Sequence, residues 1–136
     1  MKRSKKIAVA LLLSVCMLFG SVASVAYAEE AQSRMLYFSY YYADLHVEDD
    51  GSAFPCASLA AKCPANSSSI MLILQRQIGD SWGNVTSWYV EEDYGYAAIL
   101  EECRVSRGTY RCVGTFTITT DEGSETRYAT SAERTY

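Results

Sequence analysis

The chain holds one histidine, His46, in 136 residues, and none of its five cysteines stands in a Cys-x-x-Cys pair. Zinc sites are built from such pairs or from several imidazoles, and no EF-hand or repeated aspartate–glycine spacing is present for calcium, so no metal and no cofactor is implied. Catalysis finds little to work with either, because a nucleophile needs a base beside it and paired carboxylates need a shared cleft. His46, between Leu45 and Val47, reads as a strand residue, and the chain reads as a non-enzyme. Lysine is nearly absent beyond residue 6, where Lys62 stands alone among seven arginines. No stretch of ten or more residues keeps a helical period, and there is no tandem repeat or low-complexity run.

The amino-terminal part carries Met1-Lys2-Arg3-Ser4-Lys5-Lys6, an apolar run from Ile7 to Phe19, and Val25-Ala26-Tyr27-Ala28 with small residues where a leader peptidase reads. This pattern predicts a cleaved signal peptide over 1–28, the run being shorter than the roughly 20 apolar residues of a membrane span. Cys16, preceded by Val15 and followed by Met17-Leu18-Phe19, is read as leaving with the leader rather than carrying a lipid. The expected product is secreted and extracellular, with a polar tail at 29–33, one β domain over 34–136 and no membrane span of its own. Four of the twelve basic residues fall in the leader, leaving eight against sixteen acidic ones, a net charge of −8 for residues 29–136. Such a surface repels phosphate backbones and anionic membranes, which removes nucleic acid as an expected partner.

Four cysteines remain beyond the leader: Cys56, Cys63, Cys103 and Cys112. An even number in an exported chain of this size predicts two disulfides, with three connectivities open. The working pairing is Cys56 with Cys112, as a bridge between sheets, and Cys63 with Cys103.

Period-two alternation then predicts about seven short strands. The first runs over 34–47, with Leu36, Phe38, Tyr40 and Tyr42 on one face and Tyr37, Ser39, Tyr41 and Ala43 on the other; Leu45 and Val47 fall on the opposite phase to Leu36 and Phe38, which calls for a bend or bulge. The stretch 52–63 is read as a strand, although its alanines would also suit a short helix. Residues 70–78 and 82–90 form a hairpin about Gly79-Asp80-Ser81, and 96–103, 108–119 and 125–132 complete the set. The strand at 108–119 alternates most cleanly, with Tyr110, Cys112, Phe116 and Ile118 opposite Arg111, Thr115, Thr117 and Thr119. Seven strands joined by turns predict an all-β, antiparallel, immunoglobulin-like β-sandwich.

Gly108-Thr109-Tyr110-Arg111-Cys112 resembles the start of the sixth strand of immunoglobulin-like domains, where a tyrosine two residues before a cysteine makes a structural corner. The tryptophan of true immunoglobulins is missing at its usual spacing, and Leu72 or Leu74 stands in its place. Over residues 34–132 the chain also resembles a family of small, exported, uncharacterised β-sandwich proteins of Gram-positive, clostridial-type bacteria. The matching residues are Ser69, Ile70, Leu74, Gln75, Arg76 and Trp82, then Gly108, Tyr110 and Arg111, then Glu125, Thr126, Arg127 and Tyr128. The resemblance implies export and a sandwich fold, and brings no activity.

Aromatic residues supply the functional expectation. Tyr37, Tyr40, Tyr41 and Tyr42 cannot all face one core, and exposed tyrosines give contact area at small entropic cost. Tyr37, Tyr41, Trp88, Tyr89, Tyr94 and Tyr96 are the candidate binding residues, for a cell-surface glycan, another cell-surface polymer or a protein. The alternative is a disulfide-braced effector, inhibitor or small toxin.

Overall fold

A computed structural model describes residues 35–136; the predicted signal peptide and the polar tail at 29–33 lie outside the described residues. The described chain is all strand and turn. Its elements are β1 (Phe38–Val47), β2 (Ser52–Ala61), β3 (Ser67–Ile78), β4 (Ser81–Glu92), β5 (Tyr96–Leu100), β6 (Cys103–Arg104), β7 (Thr109–Thr120), β8 (Gly123–Thr130) and β9 (Arg134–Thr135). β1, β2 and β5 form one antiparallel sheet, and β4, β3, β7 and β8 the other, in that order. β6 continues the β5 edge alongside β2, and β9 continues the β8 edge alongside β7. Counting each interrupted edge once leaves seven strands, three facing four, the immunoglobulin-like sandwich expected from the alternation.

Turn chemistry fits the connections. β3 and β4 are joined by the two residues Gly79 and Asp80, and Gly79 has φ of +61°, which suits the first position of a type II′ hairpin turn. Between β1 and β2, the Asp50 carboxylate accepts a bond from Ser52 N at 2.8 Å, and Gly51 takes φ of +85° against the Tyr136 ring.

The core lies between the sheets. β3 gives Ile70, Leu72 and Leu74; β7 gives Tyr110, Cys112, Phe116 and Ile118; the smaller sheet gives Leu45, Ala53, Ala57, Leu59, Ala97 and Ile99. Leu72 and Leu74 are buried, while Trp82 lies beneath the Arg111 guanidinium, 4.2 Å from its ring. The smaller sheet offers the core mostly short side chains, and aromatic rings fill the space. Phe38, Tyr41 and Phe116 make a chain of ring contacts at 5.3 and 5.4 Å, with Phe116 folded back over Gly114.

Tyr110 enters the core from β7 and is 2% exposed; its hydroxyl donates to the Ser106 carbonyl at 2.8 Å, four residues upstream. The bond ties the crossing loop between β6 and β7 to the strand that follows. Tyr110→Phe keeps the ring and orphans that carbonyl, so a loss of about 1–2 kcal/mol in unfolding free energy is expected from urea denaturation. An unchanged midpoint would show that the bond carries no net stability.

The cysteine expectation is corrected here. All four cysteines are free and none sits at disulfide distance from another. Cys56 is paired with Asp44 and Leu100 on the outward face of the smaller sheet, whereas Cys112 is fully buried, so the β2 backbone lies between them. Cys103 pairs with Ala53 at one end of β2, while Cys63 follows Ala61 at the other end, about 25 Å away at the rise of an extended strand. A cystine spans less than 7 Å between Cα atoms.

Candidate functional site

In β1 the register slips between Phe38 and Tyr40, leaving Ser39 as the extra residue of a bulge. Beyond it Tyr41, Ala43 and Leu45 are opposite Leu59, Ala57 and Pro55 and face the core, while Tyr40, Tyr42, Asp44 and His46 face outward. The phase conflict was visible in the sequence, but its position one strand-turn earlier than the acidic residues was not.

Residues opposite one another in a ladder share a face, so the outer surface of the smaller sheet can be written row by row. Tyr40, Ala60 and Tyr96 form one row, Tyr42, Ser58 and Ala98 the next, and Asp44, Cys56 and Leu100 the third; His46 stands beside Phe54 in the fourth. The middle strand therefore carries small side chains between taller flanks. Tyr40 and Tyr96, two strands apart, stand about 10 Å from each other across Ala60. The result is a shallow trough along Cys56, Ser58 and Ala60, flanked by Tyr40 and Tyr42 on one side and Tyr96 and Leu100 on the other, with Ser58 only 5% exposed beneath the rings. Four of its members are well exposed: Tyr40 at 42%, Tyr42 at 49%, Tyr96 at 47% and Leu100 at 79%.

The walls are ordered by contact. Tyr40 and Tyr42 stack at 6.3 Å, His46 stacks on Phe54 at 6.2 Å, and the Tyr40 hydroxyl lies 3.5 Å from Ser58 Oγ. Burial raises the Tyr42 hydroxyl above the ordinary phenol value, with Cys56, Tyr40, Tyr96 and Asp44 adding to it. Burial also raises the Cys56 thiol, reinforced by the Asp44 carboxylate and opposed by a backbone bond from Asp44. Both groups are neutral near pH 7, so the trough offers the Tyr42 hydroxyl and a protonated thiol beside one carboxylate, Asp44. Desolvation lifts Cys103 as well and pushes Cys112 up to about 12, which keeps these thiols from the thiolate form a nucleophile needs.

The six aromatic candidates do not share a surface. Tyr41 is corrected to a core residue, packed between Phe38 and Phe116. Trp88 is half-buried opposite Leu72 on the inward side of β4, and Tyr89 lies on the outer face of the larger sheet, donating to Glu91 at 2.8 Å. Tyr37 borders a hollow with Cys63, Pro64, Thr120, Asp121 and Glu122, and Tyr94 occupies the turn before β5. Tyr96 alone belongs to the trough; Tyr40 and Tyr42 are the members sequence reasoning missed. His46 borders a shallow, open hollow with Val47, Glu48, Asp49 and Asp50. Among the described residues no group of three His, Cys, Asp or Glu could hold a metal ion, and no helix is long and apolar enough to cross a membrane.

The motif residues behind the family resemblance lie elsewhere and hold structure. Arg111 donates from Nε to Gln75 Oε1 at 2.9 Å while stacking on Trp82. Arg76 donates to the Arg107 carbonyl at 2.7 Å, its guanidinium lying where a side chain on Gly108 would stand. Glu125 and Arg127 form an ion pair at 2.7 Å.

Fold and surface together define an all-β, immunoglobulin-like sandwich domain with an uncovered aromatic sheet face. No family model and no curated protein matches the chain, so neither supports the likeness to exported clostridial-type proteins. Among solved structures, the chain is similar to the CARDB domain of a Pyrococcus furiosus protein, crystallised in complex with di-metal ions. The two share 10% identity over 74% of this chain and 95% of that one, with a TM-score of 0.40.

Proposed function

We propose that the protein is a secreted, non-catalytic binding domain whose trough on the outer face of β1, β2 and β5 takes a neutral glycan of the cell surface. One observation carries this reading: Tyr40 and Tyr96 flank Ala60, the next rows keep small residues in the middle, and no other described element packs on this face, which leaves Tyr40, Tyr42 and Tyr96 exposed. An extended chain lying along β2 would rest on the exposed rings of Tyr40, Tyr42 and Tyr96. Tyrosine suits sugar because its ring stacks on the apolar face of a pyranose while its hydroxyl bonds at the rim. The uncharged Tyr42 hydroxyl and the near absence of charge favour a neutral ligand over an ionic one. Export follows from the leader and agrees with such a target.

Binding to soluble neutral polysaccharides, with purified peptidoglycan as the charged comparison, tests the reading. Tyr42→Ser and Tyr96→Ser are exposed positions, so each is expected to fold normally and to weaken binding by at least about tenfold, or ~1.4 kcal/mol. Tyr89→Ser, on the opposite sheet, is expected to leave binding unchanged. Equal weakening by all three, or none by the first two, would move the ligand away from the trough.

A further inference from the structure

A sandwich of two open sheets has four edges, and among the described residues three of them are either bridged by side chains or short and broken. On one side the β1 edge is bridged near its two ends: Glu125 of β8 accepts from Leu36 N and Tyr37 N, just before β1, at 3.2 and 2.7 Å, and Arg134 Nε of β9 donates to the Leu45 carbonyl at 2.9 Å. On the other side β5 is five residues long and breaks at Glu101 and Glu102 before the two-residue β6. The remaining edge is β4, twelve residues with no charge before Glu91 and one bulge, where the register slips between Leu74 and Gln75 of its neighbour. Among the described residues it pairs with β3 alone. A long, neutral, unpaired edge is the kind that takes another strand.

We propose that β4 docks against β4 of a second copy of this chain, antiparallel about a two-fold axis at Ser87, joining the two four-stranded sheets into one of eight strands. The charge pattern selects a second copy. With the bulged Val85 passed over, this pairing sets Trp82 opposite Glu91 and Asn84 opposite Tyr89 on the outer face, and Gly83 opposite Val90 and Thr86 opposite Trp88 on the inner one. Trp82 carries the Arg111 guanidinium 4.2 Å from its ring, so Glu91 of the second copy arrives beside a cation, and the symmetry makes the contact twice. The acidic end of β4, Glu91-Glu92-Asp93, thereby meets the end of the sheet that holds Arg76, Arg107 and Arg111; Asp80, in the hairpin turn beyond the ladder, is the nearby like charge. An unrelated extended peptide would have no reason to match this order. The trough lies on the other sheet and stays open in the dimer.

Sedimentation velocity on the purified chain from about 1 µM to about 1 mM, with amide exchange at both ends of the range, tests the proposal. Dimer formation is expected, with amides of Ser81–Glu92 gaining protection as concentration rises. Ser87 is exposed, and Ser87→Lys, which sets two like charges face to face on the axis, is expected to leave a folded monomer. Glu91→Arg and Arg111→Glu are each expected to weaken the dimer at least about tenfold, and the double exchange to restore it. A monomer throughout the range, a dimer indifferent to Ser87→Lys, or a charge exchange that restores nothing would overturn it.

Discussion

Phe116→Ala is expected to lower the unfolding free energy by about 3–5 kcal/mol, a large part of the ~5–15 kcal/mol that holds an ordinary domain together. Phe116 is fully buried at the centre of β7, and its ring fills three spaces at once. It covers Gly114, where an added Cβ would come within 2.6 Å of the ring; it meets Tyr41 at 5.4 Å; and through Tyr41 it is linked to Phe38. The smaller sheet presents Ala43 here, 3.5 Å from where a Cβ on Gly114 would stand, with Ala57 paired beside it, and a methyl group is too short to close a cavity the size of a ring. The vacated space would persist, and its cost adds to the lost transfer energy. Guanidinium denaturation followed by far-ultraviolet dichroism would measure it. A loss below about 1.5 kcal/mol would mean that the sheets close over the gap.

Glu125→Gln is expected to cost about 1.5–3 kcal/mol at pH 7, the range for bonds made to a charged group. The carboxylate is 9% exposed and serves two partners of different kinds. It accepts from Leu36 N and Tyr37 N, holding the residues that lead into β1, and pairs with Arg127 at 2.7 Å. Burial alone would raise its pKa, but the bond from Tyr37 N, the Arg127 side chain and the bond from Leu36 N together outweigh it, and the net direction is downward. A depressed carboxylate contributes stability that is present above its unfolded value of about 4.3 and is lost as pH falls through its folded value. The gap between the native chain and Glu125→Gln should therefore be widest near neutrality and narrow as pH drops below about 4. A gap independent of pH would show that shape, and not charge, holds the entering segment.

Much of the fold was legible because strand alternation is a local property. β7 buried Tyr110, Cys112, Phe116 and Ile118 on the expected side, and β3 buried Ile70, Leu72 and Leu74. The hairpin at Gly79-Asp80 could be read from two β-forming runs about a turn pair. The stretch from Ser52, ambiguous because alanine tolerates both states, became a strand because it lies between β1 and β5 and bonds to both. The edges were harder. Glu101-Glu102 broke the strand expected over 96–103 into two pieces, and the last strand, expected over 125–132, ended at Thr130 with the short β9 following beyond it; pairing with β2 and β7 decided where.

The surface shows where local reading stopped. One bulged residue, Ser39, exchanged the faces of every β1 residue beyond it, since side chains alternate with a period of two and a slip of one inverts them all. That slip sent Tyr41 inward and put Tyr40 and Tyr42 on the uncovered face. The cysteines show the same limit, because their number suggested bridges while strand pairing set Cys56 outside, Cys112 inside, and Cys63 and Cys103 at opposite ends of β2. Alternation along each strand thus determined an antiparallel sandwich and the core faces of β3 and β7. Which tyrosines meet solvent, which thiols could meet one another and which edge stays open depended on register between strands, and register is a relation between distant segments that no single stretch contains.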